Sequence, residues 1–104
     1  MGLLLPRSQH SEAARILGER FRDARIAAKV TRAELANLAD MNVANYGKIE
    51  RGRGNPNFDT IVRLAGVLGV DPARFVKGIG LDQLPPKKSS YTVAEFRRER
   101  DSRR

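Results

Sequence analysis

Leu17, Phe21, Ala24 and Ala28 stand at i, i+4, i+7 and i+11 in a stretch otherwise rich in Arg, Glu and Asp, the stripe of an amphipathic helix. The spacing predicts a first helix over residues 11–28, preceded by an aperiodic arm, residues 1–10, that contains Pro6. Thr31-Arg32-Ala33-Glu34 then reads as a capping box, in which a hydroxyl caps a backbone N–H and a carboxylate reaches back. It opens a second helix with Leu35, Ala36 and Ala39 facing inward, and Asp40 and a new capping residue, Asn42, keep that helix to about eight residues.

Asn42 begins a third helix with Tyr46 and Ile49 inward, stopped by Gly52 and Gly54. Asn57 caps a fourth whose stripe is Ile61, Leu64, Ala65 and Leu68, closed by Gly69. Asp71 and Pro72 supply a cap and a first-turn proline for a short fifth helix that buries Phe75 and Val76. Nothing alternates with period two for long enough to make a sheet. Gly78, Gly80, Pro85 and Pro86 punctuate the end of this body, and Lys87 to Ser90 reads as a linker. Thr92-Val93-Ala94-Glu95 is another capping-box pattern, so Thr92 to about Arg100 is a candidate helix in which only Val93 and Phe96 are apolar enough to bury. The expected divisions are therefore an arm at 1–10, a domain at 11–84 and a tail at 85–104.

Composition narrows what such a bundle does. The chain has 104 residues and a net charge of +8, which fits one small basic domain and points to a polyanionic partner. Residues 85–104 hold seven basic against three acidic residues, so half of the net charge sits in the tail. That tail is either a solvated face or a partner-binding segment. Without cysteine there is no disulfide, thiolate metal site or thiol nucleophile, and stability must come from one packed core. No apolar run is long enough to cross a bilayer, and Met1 to Pro6 lacks the features of a secretory signal, so a cytoplasmic protein is expected. The single histidine, His10, lies in the arm, and Glu12, Glu19, Asp23, Glu34, Asp59 and Asp71 fall at caps or outward faces; no catalytic constellation, metal or cofactor is expected.

The two short helices at 32–39 and 43–51 have the spacing of a helix-turn-helix, in which the second enters the DNA major groove. In detail the chain resembles the Cro and phage-repressor type of helix-turn-helix regulators, the XRE-like family. The resemblance runs from about Leu17 to Val76 and rests on Thr31-Arg32-Ala33-Glu34-Leu35-Ala36, Ile49-Glu50-Arg51-Gly52, Asn55-Pro56 and Leu64-Ala65-Gly66-Val67-Leu68-Gly69-Val70. It implies an all-α, compact five-helix lambda-repressor-like DNA-binding domain, here with a basic C-terminal extension.

Carried over by position, it implies base contacts from Asn42, Val43, Ala44, Asn45 and Lys48. Phosphate contacts would come from Thr31, Arg32, Arg51, Arg53, Asn55 and Asn57. Val43 and Ala44 can touch only a thymine methyl, so the direct readout is thin. Arg32 stands where the family commonly has a glutamine that braces the recognition helix, which puts the bracing in doubt. Arg25 and Glu50 match a structural ion pair that orients the recognition helix. Tyr46, usually aliphatic, is expected in the core with its hydroxyl at the rim, and Asp40 replaces a common turn glycine. Gly47 costs the third helix on the order of 1 kcal/mol relative to alanine. It marks either an exposed face or a close approach of the backbone to DNA.

The implied function is a sequence-specific transcriptional regulator that binds a palindromic operator in double-stranded DNA as a homodimer. Two half-sites about one helical turn apart multiply a weak readout. Phe75, beside its place in the core, is also a candidate dimer residue together with Val76, Ile79, Val93 and Phe96. The competing reading is a protein-interaction module of the same fold, an autoregulating antitoxin or a bridging factor that engages a protein partner through its tail.

Overall fold

The computed structural model describes residues 10–86 and 92–103; all of the expected arm but His10, and the expected linker, lie outside the described residues. Every regular element among the described residues is helical: α1 Glu12–Ala27, α2 Arg32–Leu38, α3 Val43–Glu50, α4 Phe58–Leu68, α5 Ala73–Val76 and α6 Val93–Ser102. A 3-10 turn at Leu81–Gln83, which no sequence pattern marks, follows α5.

The starts of these helices follow their caps. Ser11 accepts from the Ala14 amide at 3.0 Å, and Thr31 and Glu34 form the reciprocal box that their spacing predicts. The Asn42 side-chain oxygen accepts from Ala44 and Asn45, and that of Asn57 from Thr60. Asp71 accepts from the Ala73 amide at 2.9 Å, which starts α5 directly after Pro72. The ends follow backbone geometry. Gly69 closes α4 in the left-handed region at φ 71°, and Asp40 adopts φ 54° in the turn between α2 and α3. Lys29 does the same at φ 59° after α1, a position that nothing in its local sequence marks.

Leu17, Phe21, Leu35, Ala36, Ala39, Tyr46, Ile49, Leu64, Ala65 and Phe75 form one buried cluster. Ala28 is not part of the α1 stripe: it is exposed beyond the helix end. Phe21 and Phe75 stack with ring centroids 4.2 Å apart, and Arg20 donates to the carbonyls of Phe75 and Lys77, so α5 is tied to α1 by both a ring pair and hydrogen bonds. Only 2% of Phe75 is exposed, which corrects its expected place in a dimer interface: its surface is used within one chain. Val76, expected to be buried, is 45% exposed.

The crossing of α1 and α3 decides where α3 sits. Gly18 brings the two backbones together, because a Cβ there would lie 2.2 Å from the Ile49 carbonyl oxygen. Ahead of α1 the His10 amide donates to the Gly52 carbonyl at 2.7 Å, which pins the chain just before α1 to the loop that follows α3.

Candidate nucleic-acid interface

The stripe Tyr46, Ile49 and Glu50 turns one side of α3 inward, so Val43, Ala44, Asn45 and Lys48 are left facing solvent. Asn42 stands at the tip of this face. Its side-chain oxygen is committed to the cap, which leaves only the amide N–H donors for a base or phosphate.

The far end of α3 is locked by a buried carboxylate. The Glu50 side chain is 1% exposed and accepts from Arg25 Nε at 2.6 Å, from Arg25 Nη2 at 3.2 Å, from Arg32 Nε at 3.0 Å and from the Tyr46 hydroxyl. Arg25 also donates to the Val30 carbonyl at 3.0 Å, which ties the α1–α2 connection into the same group. Burial alone would raise the Glu50 pKa. The hydrogen bonds from Arg25, Tyr46 and Arg32 outweigh it and hold the carboxyl below its ordinary range. Burial and then the Glu50 hydrogen bond push the Tyr46 hydroxyl upward, so it remains a donor.

Two sequence expectations change here. The Tyr46 hydroxyl is not at the rim, since the whole residue is 0% exposed and its oxygen is turned onto Glu50. Arg32 does brace the recognition helix, through Glu50 rather than by the family's amide, while its side chain stays 48% exposed. The signal in the sequence that points to this is Tyr46 and Glu50 at i and i+4, which places phenol and carboxylate on one inward face.

Around this anchored helix the cations gather. Arg53 and Gly54 donate their amides to the Lys48 carbonyl, so the loop doubles back on the end of α3 and holds exposed Arg53 beside it. Arg51, Asn55 and Asn57 are exposed on the same connection, with the Asn57 oxygen used as the α4 cap. Thr31 likewise accepts from Glu34 and keeps its hydroxyl proton to donate. Lys29, which belongs to no motif in the sequence, lines a shallow groove with Arg32 and Val43 beside the start of α3. Gly47 is buried, which corrects its reading as an exposed-face glycine: the Arg51 guanidinium lies over it.

Ile79 is half-buried, and Val93 and Phe96 are 67% and 51% exposed on α6. No group of three or more His, Cys, Asp or Glu side chains among the described residues could hold a metal ion. No helix among them is long and apolar enough to cross a membrane.

This geometry is that of a helix-turn-helix, and the known proteins it resembles agree. Residues 16–75, more than half of the chain, match the family described as helix-turn-helix domain. The chain belongs to this family, in its Cro and phage-repressor form. It is 33% identical over 60 residues to the immunity repressor protein of Bacillus phage phi105, covering 58% of this chain and 42% of that protein. It is 29% identical over 63 residues to an SPbeta prophage-derived HTH-type transcriptional regulator of Bacillus subtilis, covering 61% of this chain and 58% of that one. The chain thus spans about half the length of these curated relatives. Among solved structures, the restriction-modification controller protein C.AhdI of Aeromonas hydrophila superposes with a TM-score of 0.59 at 29% identity, over 60% of this chain and 94% of that one. The P22 c2 repressor protein, solved in complex with a synthetic operator, superposes with a TM-score of 0.57 at 27% identity, over 61% of this chain and 96% of that one. By name these four are a repressor, a transcriptional regulator, a controller protein and a second repressor.

Proposed function

We propose that the protein is a transcriptional regulator that binds a palindromic operator in double-stranded DNA as a homodimer, with α3 in the major groove. The observation that carries this reading is the contrast along α3. One side is clamped through Glu50 to α1 and α2, while Ala44, Asn45 and Lys48 on the other stand free in solvent. A helix held rigidly at its back with a polar, cationic front is what groove insertion requires. The repressor neighbour solved with an operator supports DNA as the partner.

Lys48 and Arg53 flank the end of α3 and test the docking directly. Lys48→Ala and Arg53→Ala are each expected to weaken binding to a selected operator. Each should also flatten the dependence of log affinity on log salt by about 0.9 for every phosphate that the variant no longer neutralises. Unchanged affinity and slope in both variants rules out this docking.

Half-sites are read in pairs only if the protein pairs. With Phe75 occupied in the core, Val76 and Ile79 remain as candidate dimer residues between α4 and α6, next to the exposed Leu81 and Leu84. Val76→Asp is expected to shift the sedimenting species to monomer and to weaken operator binding with little change in melting temperature. A dimer unchanged by that substitution moves the contact to α6.

A second reading keeps the fold but gives α6 to a protein partner, on the strength of Val93 and Phe96 standing exposed on a capped helix. Deleting residues 85–104 separates the cases. Loss of salt-sensitive DNA affinity makes the tail a DNA arm, loss of dimerisation makes it a subunit contact, and retention of both favours the protein partner.

A further inference from the structure

Gly47 has no backbone reason to be glycine. It lies inside α3 with an ordinary helical φ, and the three nearest atoms to a Cβ there would all belong to the Arg51 guanidinium, at 3.1, 3.4 and 3.6 Å. Glycine is the poorest helix former after proline, and in an eight-residue helix it is an expensive choice. What it makes room for is a flat cation lying against the helix.

The direction of Arg51 matters as much as its charge. Helical side chains lean toward the N-terminus, and Arg51 folds back one full turn to lie over Gly47 instead of projecting past the end of α3. Residues 44, 48 and 51 share one stripe at i, i+4 and i+7. The guanidinium, lying over Gly47, sits at the edge of this stripe, beside the solvent-facing Val43 and Ala44. Among the described residues no carboxylate pairs with it: Glu50, its chain neighbour, is turned inward and saturated by Arg25, Arg32 and Tyr46. Arg51 is exposed and seated, with its charge available to a ligand.

We infer that Arg51 is a base-reading residue, seated by Gly47 so that its guanidinium meets the O6 and N7 edge of a guanine in the major groove. The inference rests on the DNA-binding reading above and changes its content. From its position in sequence Arg51 is a backbone contact, whereas its place over the middle of α3 adds the fork that best matches guanine to a face otherwise made of Val43, Ala44, Asn45 and Lys48.

The test is selection of bound sequences from random DNA with the wild-type protein and with Arg51→Ala, the two first shown to melt at the same temperature. The wild type is expected to select a G·C pair in each half-site that Arg51→Ala no longer prefers. Replacing that pair by A·T in the operator should weaken the wild type about 5- to 150-fold and leave Arg51→Ala nearly indifferent. If Arg51→Ala selects the same sequence and is weakened equally on every DNA, Arg51 is a phosphate contact and the inference is overturned. If the wild type itself selects nothing, the DNA-sequence reading of the protein fails first and this inference falls with it.

Discussion

Gly18→Ala is expected to destabilise the domain by about 3 kcal/mol or more, and so to lower its melting temperature by at least about 12 °C. The added methyl would meet the Ile49 carbonyl oxygen at 2.2 Å and the Glu50 carbonyl oxygen at 2.7 Å. Both are backbone atoms at the end of α3, so no side-chain rotation relieves the contact. Either α1 and α3 separate, which opens the cluster of Leu17, Phe21, Tyr46 and Ile49, or the last turn of α3 deforms. In both cases the Glu50 clamp shifts, and operator binding should fall together with stability.

Gly66→Ala is the control. Gly66 is exposed inside α4 with nothing within 4 Å of a Cβ, so alanine there is expected to stabilise by about 0.5–1 kcal/mol. Urea titration of both variants checks the pair of signs. Equal, small effects would mean that α1 and α3 are not in backbone contact.

Glu50→Ala is expected to cost about 3–5 kcal/mol, the range for removing one partner from a buried ion pair. The reason is what remains: an Arg25 guanidinium 12% exposed and a fully buried Tyr46 hydroxyl, both without their acceptor. Glu50→Gln keeps the shape and still accepts hydrogen bonds but leaves the arginine charge uncompensated, so a smaller loss is expected.

The same carboxylate gives the domain an acid dependence. Its folded pKa is lowered, so the unfolded chain binds the proton first. The stabilisation it contributes is complete above the ordinary glutamate value of about 4.3 and is lost as pH falls through that value toward the lower folded one. Urea midpoints measured from pH 7 down to pH 3 should decline more steeply in the wild type than in Glu50→Gln. Parallel profiles would show that Glu50 does not carry this dependence.

Most of the fold is legible in the chain because its signals are local. A cap acts on an amide two or three residues away, and an apolar stripe is set by helical periodicity, so Thr31, Asn42 and Asn57 mark helix starts before any contact is known. The site is legible by half. Exposure of Ala44, Asn45 and Lys48 follows from the burial of Tyr46 and Ile49 on the other side of the same helix. Phe75 is ambiguous in sequence because an apolar side chain after α4 suits a core and an interface equally well, and only the Phe21 ring at 4.2 Å decides between them.

What the sequence determined by itself was therefore the series of helices, their boundaries to within a residue or two, and which stretch presents a helix-turn-helix. Capping and periodicity act over at most a few residues, so the chain carries them in full view. The tertiary structure alone decided that Gly18 is a crossing point, that Arg32 joins Arg25 on Glu50, and that Arg51 lies back over Gly47. The first two depend on how closely α1, α2 and α3 approach one another, and the third on the rotamer of one arginine. Packing distance and side-chain direction are set by the assembled molecule, and no local pattern encodes them.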